Sequence, residues 1–392
     1  MSLLSKFFLV FVVPSIMLLS MEGVSRLIDL PALVSDSSQE LELEMPTWLF
    51  EEENTRLNVD TIRQKKADLD WVSMFEEGLG YRLHLVPNQE TYITNTFSRI
   101  GADKQKQYRV QSNSIGFRAR ELEDDAPFRI SIYGDSSSFG WGLHQEDIYS
   151  ERLYSLANST AASTAVEVAN FAIPGDSSEY GRLVFDAFAS RFPGDIVIVS
   201  FGANDAKQVY SGHVEQADRF RSRKFVHRLN GVMLNSSLYK TLQILMNQTS
   251  RGRNAIEELK KQPKQPAVSK ARYQDNLRYM GEEAVLRGAK QVVLLSLCTP
   301  PQYAEAAQKL ARKKDWTYLN GQRYLLRLLD EIKAGEFYPE LLEEMQAEYG
   351  QELREHEVFY LTTDGCHPNK LGHRILADKL LSMLELPAPA AS

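Results

Sequence analysis

From Phe128 onward, short apolar runs alternate with longer segments of helical pattern: FRISIY (128–133), VEVANFAI (166–173), DIVIVSF (195–201), KQVVLLSL (290–297) and EVFYL (357–361). Each run is of strand length, rich in β-branched and aromatic residues, and bounded by turn formers. Strands separated by helices are joined by crossovers, so they pair in parallel, and a parallel sheet needs helices on both faces. The alternation therefore predicts an α/β fold: a three-layer α/β/α sandwich on a five-stranded parallel sheet.

Open parallel sheets bind ligands beyond the carboxyl ends of their strands. Those positions are rich in polar side chains: Gly134-Asp135-Ser136 after the first run, Pro174-Gly175-Asp176 after the second, Gly202-Ala203-Asn204-Asp205 after the third and Asp364-Gly365-Cys366-His367 after the last. A serine hydroxyl is a weak nucleophile and needs a base that is itself held by a third group. In TTDGCHPNKLGH, Asp364 and His367 lie three residues apart, just before a helix that Pro368 can start. Ser136, His367 and Asp364 can thus act as nucleophile, base and orienter. The backbone N–H groups of Ser136 and Gly175 and the side-chain amide of Asn204 can supply the donors that an oxyanion requires.

These blocks resemble, in order and spacing, the four signature blocks of the SGNH (GDSL-type) hydrolases: GDSSSFG, the glycine of IPGDS, GAND and DGCHPN. The resemblance spans about 130–386 and places the Ser, Gly, Asn and His of the family name on Ser136, Gly175, Asn204 and His367, with Asp364 completing the triad. Ser137 stands where the GDSL name has leucine. The upstream SNSIGFR, together with a single N-terminal anchor, is similar to membrane-tethered bacterial members. The resemblance implies a flavodoxin-like sandwich and an SGNH hydrolase domain over 126–386. It also implies metal-independent hydrolysis of O-acyl esters, O-acetyl carbohydrates among them, through an acyl-Ser136 intermediate. Two alternatives stay open: an O-acyltransferase using the same triad, and a catalytically silent glycan-binding or assembly subunit. A lipid esterase is a further possibility, because an anchor would hold the domain at a membrane.

The motif GDSS occurs twice. Its first copy supplies the nucleophile; its second supplies Gly175, where close approach of the backbone favours a residue without a Cβ, and leaves Ser177 as a helix cap or first-turn residue. Asp135 and Asp205 are read as organising their loops, His373 as a surface or packing histidine and His144 as a candidate to line the cleft. Trp141 and Tyr180 are read as packing against the sheet, with stacking on a sugar as the alternative. Leu371, Ile375, Leu380 and Leu384 form a core stripe.

A net charge of -7 and a pI near 5.7 leave no basic footprint for nucleic acid. Two cysteines cannot make a four-ligand zinc site, and no HExxH, Walker A or GxSxG pattern occurs, so no cofactor or metal is expected. Cys298 and Cys366 are read as buried free thiols. The alternative is a disulfide, since the sheet order 2-1-3-4-5 implied by the resemblance makes their strands neighbours.

At the N-terminus, Lys6 precedes FFLVFVVPSIMLLSM, fifteen residues without a charge, and no A-x-A-like cleavage site follows. Residues 1–21 are expected to be an uncleaved single-pass anchor in a bacterial cytoplasmic membrane, with the body facing the periplasm or exterior. Residues 22–125 are expected to be a juxtamembrane segment and an extended β-ribbon lead-in. A helical insertion is expected at about 206–270 and a disordered tail at 387–392.

Overall fold

The computed structural model describes residues 12–28, 30–34, 75–77, 83–94, 107–159, 164–210, 212–222, 236–247, 263–336, 359–360 and 365–387, with a few single positions between them. The chain divides into two compact units, one of Met1–Ala67 with Arg223–Pro263 and one of Asp68–Ser222 with Lys264–Ser392.

In the first unit, helix Val13–Leu27 begins with Pro14 in its first turn, where a missing N–H costs nothing. It runs on through Glu22 and Arg26, which pair at 2.6 Å. No helix among the described residues is long and apolar enough to cross a membrane, and residues 1–11 of the expected anchor lie outside them. The Glu22 carboxylate accepts from the Ser237 and Leu238 backbone N–H groups and the Ser236 hydroxyl, satisfying the first turn of helix Ser237–Asn247 in trans.

The second unit opens with the ribbon. Strands β1 (Phe75–Glu77) and β2 (Leu83–Leu85) pair antiparallel, as do β3 (Glu90–Thr94) and β4 (Gln107–Gln111). The main sheet follows with β5 (Arg129–Gly134), β6 (Glu167–Asn170) and β7 (Ile196–Ser200). A two-residue antiparallel pair, β8 (Gln208–Val209) and β9 (Gln265–Pro266), closes the neck of the insertion. Strands β10 (Gln291–Ser296) and β11 (Thr317–Asn320) complete the sheet. Its order is β11-β10-β7-β5-β6, all parallel, which is the expected 2-1-3-4-5.

The fifth strand is a correction. It is β11, not the run at 357–361, of which only Phe359 and Tyr360 are described; Tyr360 makes an isolated bridge to Pro368. An edge strand pairs on one side and needs little apolar surface. In β11 only Leu319 is buried, so TYLN carries a weaker strand signal than the fully buried Phe359 and Tyr360.

Every residue of β5, β7 and β10 is buried, as a sheet covered on both faces requires. The two-residue alternation sorts them cleanly. Ile130, Ile132, Ile196, Ile198, Val293 and Leu295 pack with Leu153, Leu325 and Leu376 from helices Tyr149–Ser159, Gly321–Lys333 and Lys370–Leu381. Tyr133, Val197, Val199, Val292 and Leu294 face the opposite core, with Leu183, Leu277 and Leu310 from helices Ser178–Phe188, Lys270–Leu286 and Pro301–Lys314. Leu371, Ile375, Leu380 and Leu384 all lie in the first core, as their spacing indicates.

Candidate active site

Strand β5 ends at Gly134, and Asp135 caps a single helical turn, Ser136–Phe139, by accepting from the Ser137 backbone N–H at 3.0 Å. Ser136 is therefore the first helical residue at a strand end, partly open to solvent while Asp135, Ser137 and Ser138 are buried. Its hydroxyl lies 2.9 Å from His367 Nε2, across 231 residues of chain. His367 precedes helix Lys370–Leu381, whose N-cap is Asn369, accepting from Gly372 N at 3.0 Å; the helix thus begins past Pro368 rather than at it. Asp364 lies outside the described residues.

Several contacts among the described residues hold the segment carrying His367. Cys366 is disulfide-bonded to Cys298, just beyond β10, with Cα atoms 4.5 Å apart. The Ser137 hydroxyl donates to the Cys366 carbonyl at 3.0 Å, and the Gln322 amide donates to the Gly365 carbonyl at 3.2 Å. The free-thiol reading of the cysteines thus gives way to the disulfide, because the end of β10 and this segment meet at the same edge of the site.

Gly175 has φ +76°, a conformation that disfavours residues with a Cβ. Ser177 is the N-cap of helix Ser178–Phe188, yet its hydroxyl makes no capping bond and lies 3.0 Å from His213 Nδ1. Gly202 has φ +148°, and a Cβ there would meet the Thr299 side chain at 2.4 Å. This turn presents Asn204, whose Nδ2 donates to the Asp176 carbonyl at 3.1 Å. An amide nitrogen has two N–H groups, so one remains to be aimed elsewhere.

Both neighbouring acids organise loops, as expected. Asp205 is fully buried and accepts from Ser178 N at 3.1 Å and from the Ser178 hydroxyl. Burial pushes the Asp135 and Asp205 carboxyls up to about 7, against the hydrogen bonds from Ser137 and Ser178. His373 is a core histidine: its Nδ1 accepts from Tyr149 N at 2.9 Å, and burial, with Arg118 and His367 adding in the same sense, lowers it to about 3. His144 accepts from Arg109 N through Nδ1 at 3.0 Å and is half-buried. Trp141 is buried against Tyr108 and Phe139, and Tyr180 is buried with its hydroxyl on Gln216, which is the packing role rather than an open platform.

Sequence reasoning gave Arg118 no role. It is 1% exposed, and its guanidinium reaches five acceptors around the turn that follows Ser136. An arginine directly after Ile115, Gly116 and Phe117 in SNSIGFR is the signal that was there to find.

A strand-end serine in contact with a histidine from the last loop, a positive-φ glycine and an asparagine turn define a serine hydrolase site on a doubly wound sheet. The chain belongs to the GDSL-like lipase/acylhydrolase family, whose profile matches residues 132–375, and is a serine carboxylic ester hydrolase. No curated protein matches it. Among solved structures it is similar to TesA (17% identity, 66% of this chain and 98% of that one, TM-score 0.36). It is also similar to a lipase/acylhydrolase from Enterococcus faecalis (14%, 67% and 100%, TM-score 0.37). A third is a catalytic mutant of an acetylxylan esterase from Geobacillus stearothermophilus (13%, 68% and 98%, TM-score 0.39).

Proposed function

We propose that this enzyme hydrolyses O-acyl esters, with O-acetylated carbohydrate as the substrate class, through an acyl-Ser136 intermediate. The observation that carries the reading is the 2.9 Å contact between Ser136 Oγ and His367 Nε2. His367 takes the hydroxyl proton as Oγ attacks the ester carbonyl, and returns it to the departing alcohol; it then takes a proton from water, whose oxygen attacks the acyl carbon and frees the acid. The oxyanion formed at each stage accepts from Ser136 N, Gly175 N and the second N–H of Asn204. The role that the family pattern gives Asp364 is to hold His367 in the productive tautomer.

The enzyme acts at the outer face of a bacterial cytoplasmic membrane, tethered by its N-terminus. Supporting this are the charge-free stretch from Phe7 to Met21 and the outward-facing Ile16, Met17, Leu18 and Leu19, all more than half exposed.

The test is acid release from 4-nitrophenyl acetate and from O-acetylated polysaccharide. Ser136→Ala is expected to abolish release with folding intact, whereas Ser177→Ala keeps most of it. Release that survives in Ser136→Ala, or falls equally in both variants, refutes the assignment.

A further inference from the structure

The geometry points to Arg118 as a positioning residue for the nucleophile, a buried cationic clamp that fixes the far end of the one-turn helix on which Ser136 sits. This rests on Ser136 being the nucleophile.

A helix of four residues does not hold itself together, since nucleation fixes several dihedrals for one hydrogen bond. Ser136–Phe139 has few bonds of its own: Ser138 N and Phe139 N to Asp135 O at 3.1 and 2.9 Å, and Gly140 N and Trp141 N to Ser136 O, both at 3.1 Å. Its first end is fixed by the Asp135 cap. Its last end is fixed by Arg118, whose Nη1 donates to the Phe139 and Gly140 carbonyls at 3.2 and 2.7 Å. A cation there also complements the negative end of the turn.

The same guanidinium extends the clamp in two directions. Nη2 donates to the Leu143 carbonyl at 2.5 Å and to the Arg109 carbonyl of β4 at 3.0 Å, and Nε donates to Gln145 Oε1 at 2.9 Å. All five N–H groups are therefore committed, four of them to main-chain carbonyls. None goes to a carboxylate. A residue meant only to cancel charge would face an acid; this one is built to hold backbone in place.

The path to the reacting atom is short. Arg118 fixes the Phe139 and Gly140 carbonyls, the N–H groups of Gly140 and Trp141 fix the Ser136 carbonyl, and the Ser136 main chain sets where Oγ stands relative to His367. Lysine cannot substitute, because three N–H groups radiating from one nitrogen cannot span a fork of five acceptors.

The experiment uses full-length protein and a fluorophosphonate, which labels activated serines. Mass spectrometry first locates the label in the wild type: label at Ser136 upholds the nucleophile assignment, and its absence there overturns that assignment separately. In Arg118→Lys and Arg118→Ala, the labelling rate and kcat per folded molecule are expected to fall about 100-fold, as for a catalytic group displaced by an ångström, with KM little changed. Guanidinium ion at tens of millimolar is expected to restore Arg118→Ala, whereas sodium chloride does not. A labelling rate and kcat within about twofold of wild type, or equal rescue by both salts, overturns the inference. Should neither variant fold, Gln145→Leu decides: it removes the acceptor of Nε, along with the longer contacts of the same amide to Gln111 N at 3.4 Å and Glu151 at 3.5 Å, and is expected to lower kcat several-fold at constant KM, while an unchanged kcat overturns the inference.

Discussion

Replacing both Cys298 and Cys366 by alanine tests how the base-bearing segment is held. The bridge closes a loop of 68 residues, and cross-linking a loop of that length removes enough unfolded-chain entropy to stabilise the folded state by about 4 kcal/mol. The hydrogen bonds from Ser137 to Cys366 and from Gln322 to Gly365 contribute about 1 kcal/mol each. The disulfide thus stabilises more than either of these hydrogen bonds. Urea unfolding of the double variant is expected to show a loss of about 3 to 4 kcal/mol. Wild type in dithiothreitol should move to the same midpoint, and the variant should not respond to the reductant. Turnover at a temperature where the variant is folded is expected to fall about tenfold, because His367 remains present but less well positioned. A stability loss below about 1 kcal/mol, or a variant that responds to dithiothreitol as the wild type does, refutes the reasoning.

Two further outcomes follow from the site. Asn204→Ala is expected to lower kcat by roughly two to three orders of magnitude with KM little changed, the loss typical of one oxyanion donor; steady-state kinetics showing less than about a tenfold loss would remove Asn204 from that role. His373, lowered to about 3 in the folded protein against an ordinary 6.5, stays neutral while the unfolded chain binds a proton. Its contribution is complete above about pH 6.5 and is lost as pH falls toward 3, with a slope of up to about 1.4 kcal/mol per pH unit. Asn at 373 can still accept from Tyr149 N without titrating, so urea midpoints of wild type and His373→Asn should diverge between pH 6 and 4. Asp135 and Asp205, raised to about 7, act in the opposite sense over pH 4 to 7 but are common to both proteins and cancel in the difference. Parallel pH profiles would show that His373 carries no such linkage.

By itself the sequence determined the doubly wound sheet and placed the polar segments after β5, β6 and β7 at its strand ends. Both are local properties: a strand buried on two faces is mostly apolar, as β5, β7 and β10 are, and a turn with positive φ favours glycine, as at Gly175. What depended on distant partners was not legible. The edge strand β11 has one buried residue in four, so its pairing with β10 decides its structure more than its composition does. The bond between Cys298 and Cys366 depended on where the last loop turns, which no spacing reveals. Arg118 stands in the segment that follows the ribbon, and only tertiary structure brings its guanidinium to carbonyls 21 to 25 residues further on. Hydrogen bonds to main-chain carbonyls leave no trace in the identity of the residues that accept them, because every residue has a carbonyl to offer.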